Sequence, residues 1–223
     1  MRLTIPQPEL KINILSFIMR IDKKLSNKII AAQVDRIDSL IVLGDGNEDA
    51  RVVSLLCHHL DGEKVVGLIK PELRRYSAIK ELKERNYIRN FRSIVFIFDQ
   101  EDDKLEELYG EVKKALNDAG IGFEEGEKFL VHRVMSYNCY LAGHKFKLVI
   151  VVNGLDDVGG STHKIEDHLV MLAGLDGNLD SKDIWQDLEK GKRLDVFRRI
   201  YGDREVAERV FGQHFARLGL VDC

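Results

Sequence analysis

Short apolar runs of strand length alternate with segments of helical periodicity along the middle of this 223-residue chain. The runs at residues 39–43, 64–69 and 93–98 are rich in valine, isoleucine and phenylalanine, and each is followed by a segment of helix length. Strands separated in this way by helices connect most readily into a parallel sheet with helices on its faces. The alternation predicts an α/β fold with a Rossmann-like, mainly parallel sheet.

Flanking segments divide the chain into three predicted parts. Residues 1–37 form an N-terminal extension packed on the core, where the spacing of Ile14, Phe17, Ile18, Ile21 and Leu25 favours a helix and an isoleucine-rich hairpin strand is the alternative. Residues 38–175 form the α/β domain, with helices expected at 47–60, 71–88, 103–119 and 164–173 and later strands at 129–134 and 145–152. Residues 176–223 form a mostly helical appendage, with helices expected at 180–188 and 193–218.

Composition excludes several classes of protein. Three widely spaced cysteines without a CxxC pair argue against a disulfide scaffold or a zinc ribbon. The apolar runs are too short to span a bilayer, so no membrane partner is expected. The N-terminal stretch carries charges within its apolar residues and resembles no signal peptide, which makes a cytoplasmic location the expectation.

Charge is segregated although the net charge is only −3. Residues 70–92 hold eight basic side chains against three acidic ones, and residues 99–127 hold eleven acidic against three basic ones. Basic residues beside Tyr76, Tyr87 and Phe91 are suited to contact phosphates and bases, but a solvated helix face explains the same pattern. The residues predicted to contact nucleic acid are Arg74, Arg75, Arg89 and Arg92.

Acidic residues follow three of the predicted strands. Asp45 and Asp49 follow the first strand, Asp99 and Glu101 follow the third, and Glu166 lies shortly after the last. The carboxyl ends of parallel strands share one edge of a sheet, where ligands bind in open α/β folds. Clustered carboxylates suit a hard cation such as Mg²⁺, whereas acidic residues also favour loops and helix N-termini for purely structural reasons. A dinucleotide-binding turn at Gly44 and Gly46 is disfavoured, because Asp49 replaces the third glycine.

Two of these segments resemble the TOPRIM domain, the metal-binding α/β module of topoisomerases, primases and several nucleases. The stretch LIVLGDGNEDARVVSLL is similar to its opening, with Asp45, Gly46 and Asp49 at the Glu-Gly-x-x-Asp positions. Asp99-Gln100-Glu101 matches its Asp-x-Asp motif, and Ile165-Glu166-Asp167 resembles the helix start that closes small archaeal and bacterial TOPRIM-like proteins of unknown function. Asp45 stands where the family has Glu, and Glu101 where it has the second Asp.

The resemblance implies a divalent-metal protein that acts on nucleic acid, as a Mg²⁺-dependent phosphodiesterase or nuclease. Asp45, Asp99 and Glu101 would be catalytic. The implied ligands of Mg²⁺ or Mn²⁺ are Asp45, Asp49, Asp99, Glu101 and Glu166. The two departures from the motif leave open an alternative, a catalytically silent module that binds nucleic acid or protein. Self-association is a further partner hypothesis that the residues do not decide.

Overall fold

A seven-stranded mixed sheet forms the centre of the molecule. The computed structural model describes residues 1–31, 37–44, 46–60, 64–84, 91–126, 133–158, 161–175 and 180–222, with only the backbone at 84 and 220–222. The strand order is β1-β3-β2-β4-β7-β6-β5. The strands are β1 (Arg2–Thr4), β2 (Ser39–Leu43), β3 (Val65–Ile69), β4 (Ser93–Asp99), β5 (Gly122–Glu125), β6 (Val134–Leu141) and β7 (His144–Asn153).

Parallel pairing runs through five of these strands, and an antiparallel edge completes the sheet. β1, β3, β2, β4 and β7 are joined by parallel ladders, whereas β7, β6 and β5 pair antiparallel. The β6–β7 hairpin turns at Ala142 and Gly143, both of which have positive φ, as a two-residue type I′ turn requires. The predicted α/β fold with a mainly parallel sheet is confirmed.

Helices cover both faces of the sheet. They are α1 (Pro8–Ile21), α2 (Leu25–Ile29), α3 (Asn47–His59), α4 (Ala78–Glu84), α5 (Leu105–Asp118), α6 (Ile165–Ala173), α7 (Ser181–Asp187), α8 (Lys190–Gly202), α9 (Arg204–Val210) and α10 (Gly212–Asp222). One apolar core lies under α4 and α5, and the other contains the buried residues of α1, α3, α6 and α8 to α10. The N-terminal segment supplies β1 to the edge of the sheet, and α10 packs on β2, β4 and β7.

The helix predicted from residue 71 begins later than its sequence suggests. The Glu81 carboxylate accepts the backbone N–H groups of Glu72 and Leu73, which holds the segment after Pro71 in a turn. Arg75 then adopts a φ of 50°, outside the helical region, and α4 begins only at Ala78. The predicted end, residues 85–88, lies outside the described residues.

Two other boundaries also differ. The single helix predicted over 193–218 is broken into α8, α9 and α10, because Asp203 leaves helical geometry and caps α9 by accepting the N–H of Val206. Most of the strand predicted at 129–134 lies outside the described residues, and β6 begins at Val134. Within the part of the chain that the structure describes, no helix is both long and apolar enough to cross a membrane.

Gly44 follows β2 at the carboxyl edge of the sheet, where the packing leaves no room for a side chain. Its N–H donates to the carbonyl of Ile97 and its carbonyl accepts from Arg75, so the backbone cannot shift freely. A Cβ at Gly44 would lie 2.7 Å from Cβ of Phe98.

We predict that Gly44→Ala lowers the free energy of unfolding by about 1–3 kcal/mol through this overlap. Gly110→Ala is the matched control, since a Cβ at this glycine of α5 meets nothing within 4 Å and alanine favours helix. Urea denaturation of both variants checks the difference, and equal stabilities would contradict it.

Candidate functional site

A cleft of about 370 Å³ opens at the carboxyl ends of the parallel strands, and we call it the strand-end cleft. Asp99, Glu101 and Glu166 line it, so three of the predicted metal ligands share one depression. Gly44 and Gly46 also line it, whereas Asp45, which stands between them in the sequence, lies outside the described residues. The cationic side chains of the cleft are Lys70, Arg74, Lys164 and Lys182.

A buried amide lies beneath the cleft and connects two of the predicted acids. Asn153, the last residue of β7, donates through Nδ2 to Oδ1 of Asp49 at 2.6 Å and to Oδ1 of Asp99 at 2.8 Å. Asp99 also accepts the backbone N–H of Ile165 at the start of α6. Parallel pairing places Asp99 directly beside Asn153, which is why both side chains reach the same point. Asp49 is therefore a fully buried member of a hydrogen-bond network, not a lining residue of the cleft.

Two buried histidines continue this network. Nε2 of His214 lies 2.8 Å from Oδ1 of Asn153, and because that oxygen can only accept, the imidazole donates. Nδ1 of His168 donates to the carbonyl of Val210, and its Nε2 accepts from the N–H of Gly154. Burial lowers the pKa of His168 to about 4 and that of His214 well below its ordinary value, so both rings are neutral at pH 7.

A short backbone bridge ties the loop after β4 to the segment before α6. Glu101 and His163 exchange N–H to carbonyl hydrogen bonds of 2.8 and 2.9 Å, and Glu101 adopts a φ of 57°. A left-handed backbone at a non-glycine residue is uncommon and is retained where surrounding contacts enforce it. Gly154, with a φ of 122°, lies against His163 of this bridge. Only glycine fits there, because a Cβ at Gly154 would lie 2.4 Å from Cβ of His163. The bridge sets the backbone positions from which Glu101 and Glu166 reach the cleft.

The pKa of Glu166 in the cleft is perturbed by its surroundings. Burial raises the pKa of its carboxyl, and the nearby charge of Glu48 raises it further. The cations of Lys164 and Lys182 act in the opposite direction. A cation placed beside Glu166 would offset the cost of its charge.

The carboxylates of the cleft are chemically suited to a hard divalent cation, but the described side chains do not converge on one point. Carboxylate oxygens are the ligands that Mg²⁺ and Mn²⁺ prefer. No three His, Cys, Asp or Glu side chains among the described residues come close enough to hold an ion together. Asp45 is not among those residues, so the described part of the site supplies Asp99, Glu101 and Glu166 as candidate ligands.

The predicted nucleic-acid contacts fall in different places. Arg74 lines the strand-end cleft. Arg75 is half-buried, donates to the Gln100 carbonyl and pairs with Asp103, which gives it a structural task. Arg92 precedes β4 and thus lies roughly 20 Å from Asp99, at the opposite edge of the sheet. Arg89 lies outside the described residues.

Known proteins give no independent guide to this site. No protein-family model matches the chain, and neither a curated protein nor a solved structure matches it.

Several residues of the site carry no local sequence signal. Asn153 stands at the end of a strand, but its bonding to Asp49 and His214 connects distant segments. Lys164 and Lys182 come from the start of α6 and from α7, and their shared cleft appears only in the fold. Arg133 is also buried here, and its guanidinium bonds Gln100 and Asp156.

Replacing the amide of Asn153 should destabilise the protein. We predict that Asn153→Asp lowers the free energy of unfolding at pH 7 by about 2–4 kcal/mol, because a third carboxylate replaces the donor shared by Asp49 and Asp99. Asn138→Asp, at an exposed position of β6, is the control and should change stability by less than about 0.5 kcal/mol. Chemical denaturation measures both, and a tolerated Asn153→Asp in metal-free buffer would contradict the assigned network.

Stability should depend on pH through the buried histidines. The pKa of His168 is about 4 in the folded protein against 6.5 unfolded, so the unfolded chain binds the proton first as pH falls. We predict that the free energy of unfolding falls between pH 6.5 and 4, by roughly 3 kcal/mol for His168, with His214 acting in the same direction. Denaturation across this range should show a shallower slope for His168→Gln, and an unchanged slope would contradict the assignment.

Proposed function

We propose that the protein is a TOPRIM-like, divalent-metal-binding protein that acts on nucleic acid as a phosphodiesterase. One observation carries the proposal: Asp99, Glu101 and Glu166 share a single cleft with four cationic side chains at the carboxyl edge of the parallel sheet. Carboxylates and cations in one depression suit a ligand that is itself a metal-bound phosphate. The Asp45 and Asp99 motifs add support through their order along the chain.

Each part of the cleft has a distinct task in this proposal. Asp99 with Glu101 or Glu166, together with Asp45, would hold Mg²⁺ or Mn²⁺, which would neutralise phosphate charge and activate water when bound. Asn153 orients Asp99 from below by donating to Oδ1. Arg74, Lys164 and Lys182 would bind phosphates on either side of the scissile bond by charge-assisted hydrogen bonds.

A metal-dependent cleavage assay tests the proposal. Wild-type protein is expected to cleave single- or double-stranded DNA or RNA with Mg²⁺ or Mn²⁺ and to be inactive in EDTA. Asp99→Asn and Glu166→Gln should each lower the rate by about 10²-fold or more, since each removes a charge that the metal requires.

Asp102→Asn is the matched control, because Asp102 is exposed on the same loop and does not line the cleft. Thermal denaturation must show that Asp99→Asn is folded, since Asp99 accepts hydrogen bonds from Asn153 and Ile165 in the core. Full activity of a folded Asp99→Asn variant, or no cleavage of any nucleic acid by the wild type, would contradict phosphodiesterase activity.

A second candidate is a catalytically silent module that binds nucleic acid. The specific observation in its favour is the Asn153 amide, which already gives Asp49 and Asp99 the compensation that a cation would otherwise supply. This candidate requires salt-sensitive nucleic-acid binding that Arg74→Gln weakens, no cleavage with either metal, and no rise in melting temperature with Mg²⁺ or Mn²⁺.

A further inference from the structure

A second depression, lined in part by α3, concentrates positive charge. Its volume is about 240 Å³, and it lies between α1, α3 and α8. Four cationic side chains line it against a single carboxylate, that of Glu48, and we call it the basic pocket. Its cations are Arg20, Arg51, Lys190 and Arg193.

Most of this charge is not neutralised by the protein. Arg51 pairs with Glu48 at 2.7 Å, whereas Arg20, Lys190 and Arg193 form no ion pair within the described residues. Arg193 is only half exposed, so its charge is partly removed from water. Uncompensated like charges in one concave surface repel one another and raise the local potential for an anion.

The start of α8 adds to this potential. Its first turn contains no acidic residue and begins with Lys190, although cations are unfavourable at the positive end of a helix. The free N–H groups of a helix N-terminus bind anions, and here they lie on the segment that supplies two of the pocket's cations. Cations at this end of α8 lower the stability of the folded protein and favour the binding of an anionic ligand.

The aromatic residues of the pocket favour recognition of phosphate rather than of a base. Phe17 and Phe197 are buried and pack edge-to-face on each other at 4.8 Å between centroids. The guanidinium of Arg51 covers Phe17, 5.3 Å from its centroid. Because these rings are occupied by neighbours, they offer no open platform on which a base could stack.

The basic pocket adjoins the strand-end cleft through the first turn of α3. Glu48 lines the pocket, while the adjacent Asp49 bonds Asn153, which also bonds Asp99 of the cleft. The Glu48 carboxylate also interacts electrostatically with Glu166 of that cleft. We propose that the basic pocket is a phosphate-binding site. That its phosphate belongs to a strand held in the cleft rests on the proposed function, whereas free polyphosphate is the other source of the same chemistry.

Binding in EDTA tests the site without the metal or the cleavage reaction. Trp185 is the one tryptophan of the chain and packs edge-to-face on Phe197 at 5.6 Å, so its fluorescence reports on the pocket. Pyrophosphate should change this fluorescence saturably. Arg193→Gln and Arg20→Gln should each weaken binding roughly tenfold, as expected for loss of a charge-assisted hydrogen bond.

Lys192→Gln is the matched control, since Lys192 is exposed in the same first turn, carries the same charge and does not line the pocket. Binding of a single-stranded oligonucleotide, followed by fluorescence anisotropy in EDTA, distinguishes the two sources of phosphate. If Arg193→Gln weakens both ligands, the phosphate is that of a strand. If it weakens pyrophosphate alone, the site takes free polyphosphate.

Both results support a phosphate site, and both are independent of whether the protein cleaves nucleic acid. The proposal is overturned if neither ligand binds the wild type. It is also overturned if Lys192→Gln weakens binding as much as Arg193→Gln does, since the effect would then be one of net charge.

Discussion

The carboxyl edge of the sheet depends on the amide of Asn153. Its Nδ2 group donates to Asp49 on α3 and to Asp99 on β4, and its Oδ1 accepts from His214 on α10. Buried carboxylates are costly unless hydrogen bonds satisfy them, and one amide with two N–H groups serves both. Because His214 donates to Oδ1, the amide is held with its Nδ2 group directed at Asp49 and Asp99. The interaction thereby joins two neighbouring strands, β7 and β4, to the helices α3 and α10.

The proposed site is built outward from this buried layer. Asp99 belongs to both levels, since it accepts from Asn153 below and lines the strand-end cleft above. Glu101 and Glu166 reach the same cleft from segments that the Glu101–His163 backbone bridge holds together. Cations surround these acids, and the basic pocket lies beyond Glu48. An acidic centre flanked by positive surfaces is the charge pattern on which the proposed function rests.

The sequence predicts this arrangement to the extent that it depends on local pattern. Strands at residues 39–43 and 93–98 are continuous apolar runs, and parallel pairing then brings the acids after them to one edge. That reasoning places Asp99, Glu101 and Glu166 together. It misses the hydrogen bond between Asn153 and His214, because the two residues are 61 positions apart and no periodic sequence pattern connects them. Charge runs mislead for the same reason, since Arg74 and Arg92 share a basic segment but lie at opposite edges of the sheet.

Departures in local structure have equally specific causes. Pro71 is a suitable first residue for a helix, but hydrogen bonds from the backbone of residues 72 and 73 to the Glu81 carboxylate of α4 delay the helix until Ala78. The central claim is that the strand-end cleft binds a divalent cation. Anomalous scattering from a crystal grown with Mn²⁺ tests it most directly: the account predicts a peak in the cleft, coordinated by carboxylate oxygens of Asp99 and of Glu101 or Glu166. A cleft without a peak at saturating Mn²⁺ would contradict it.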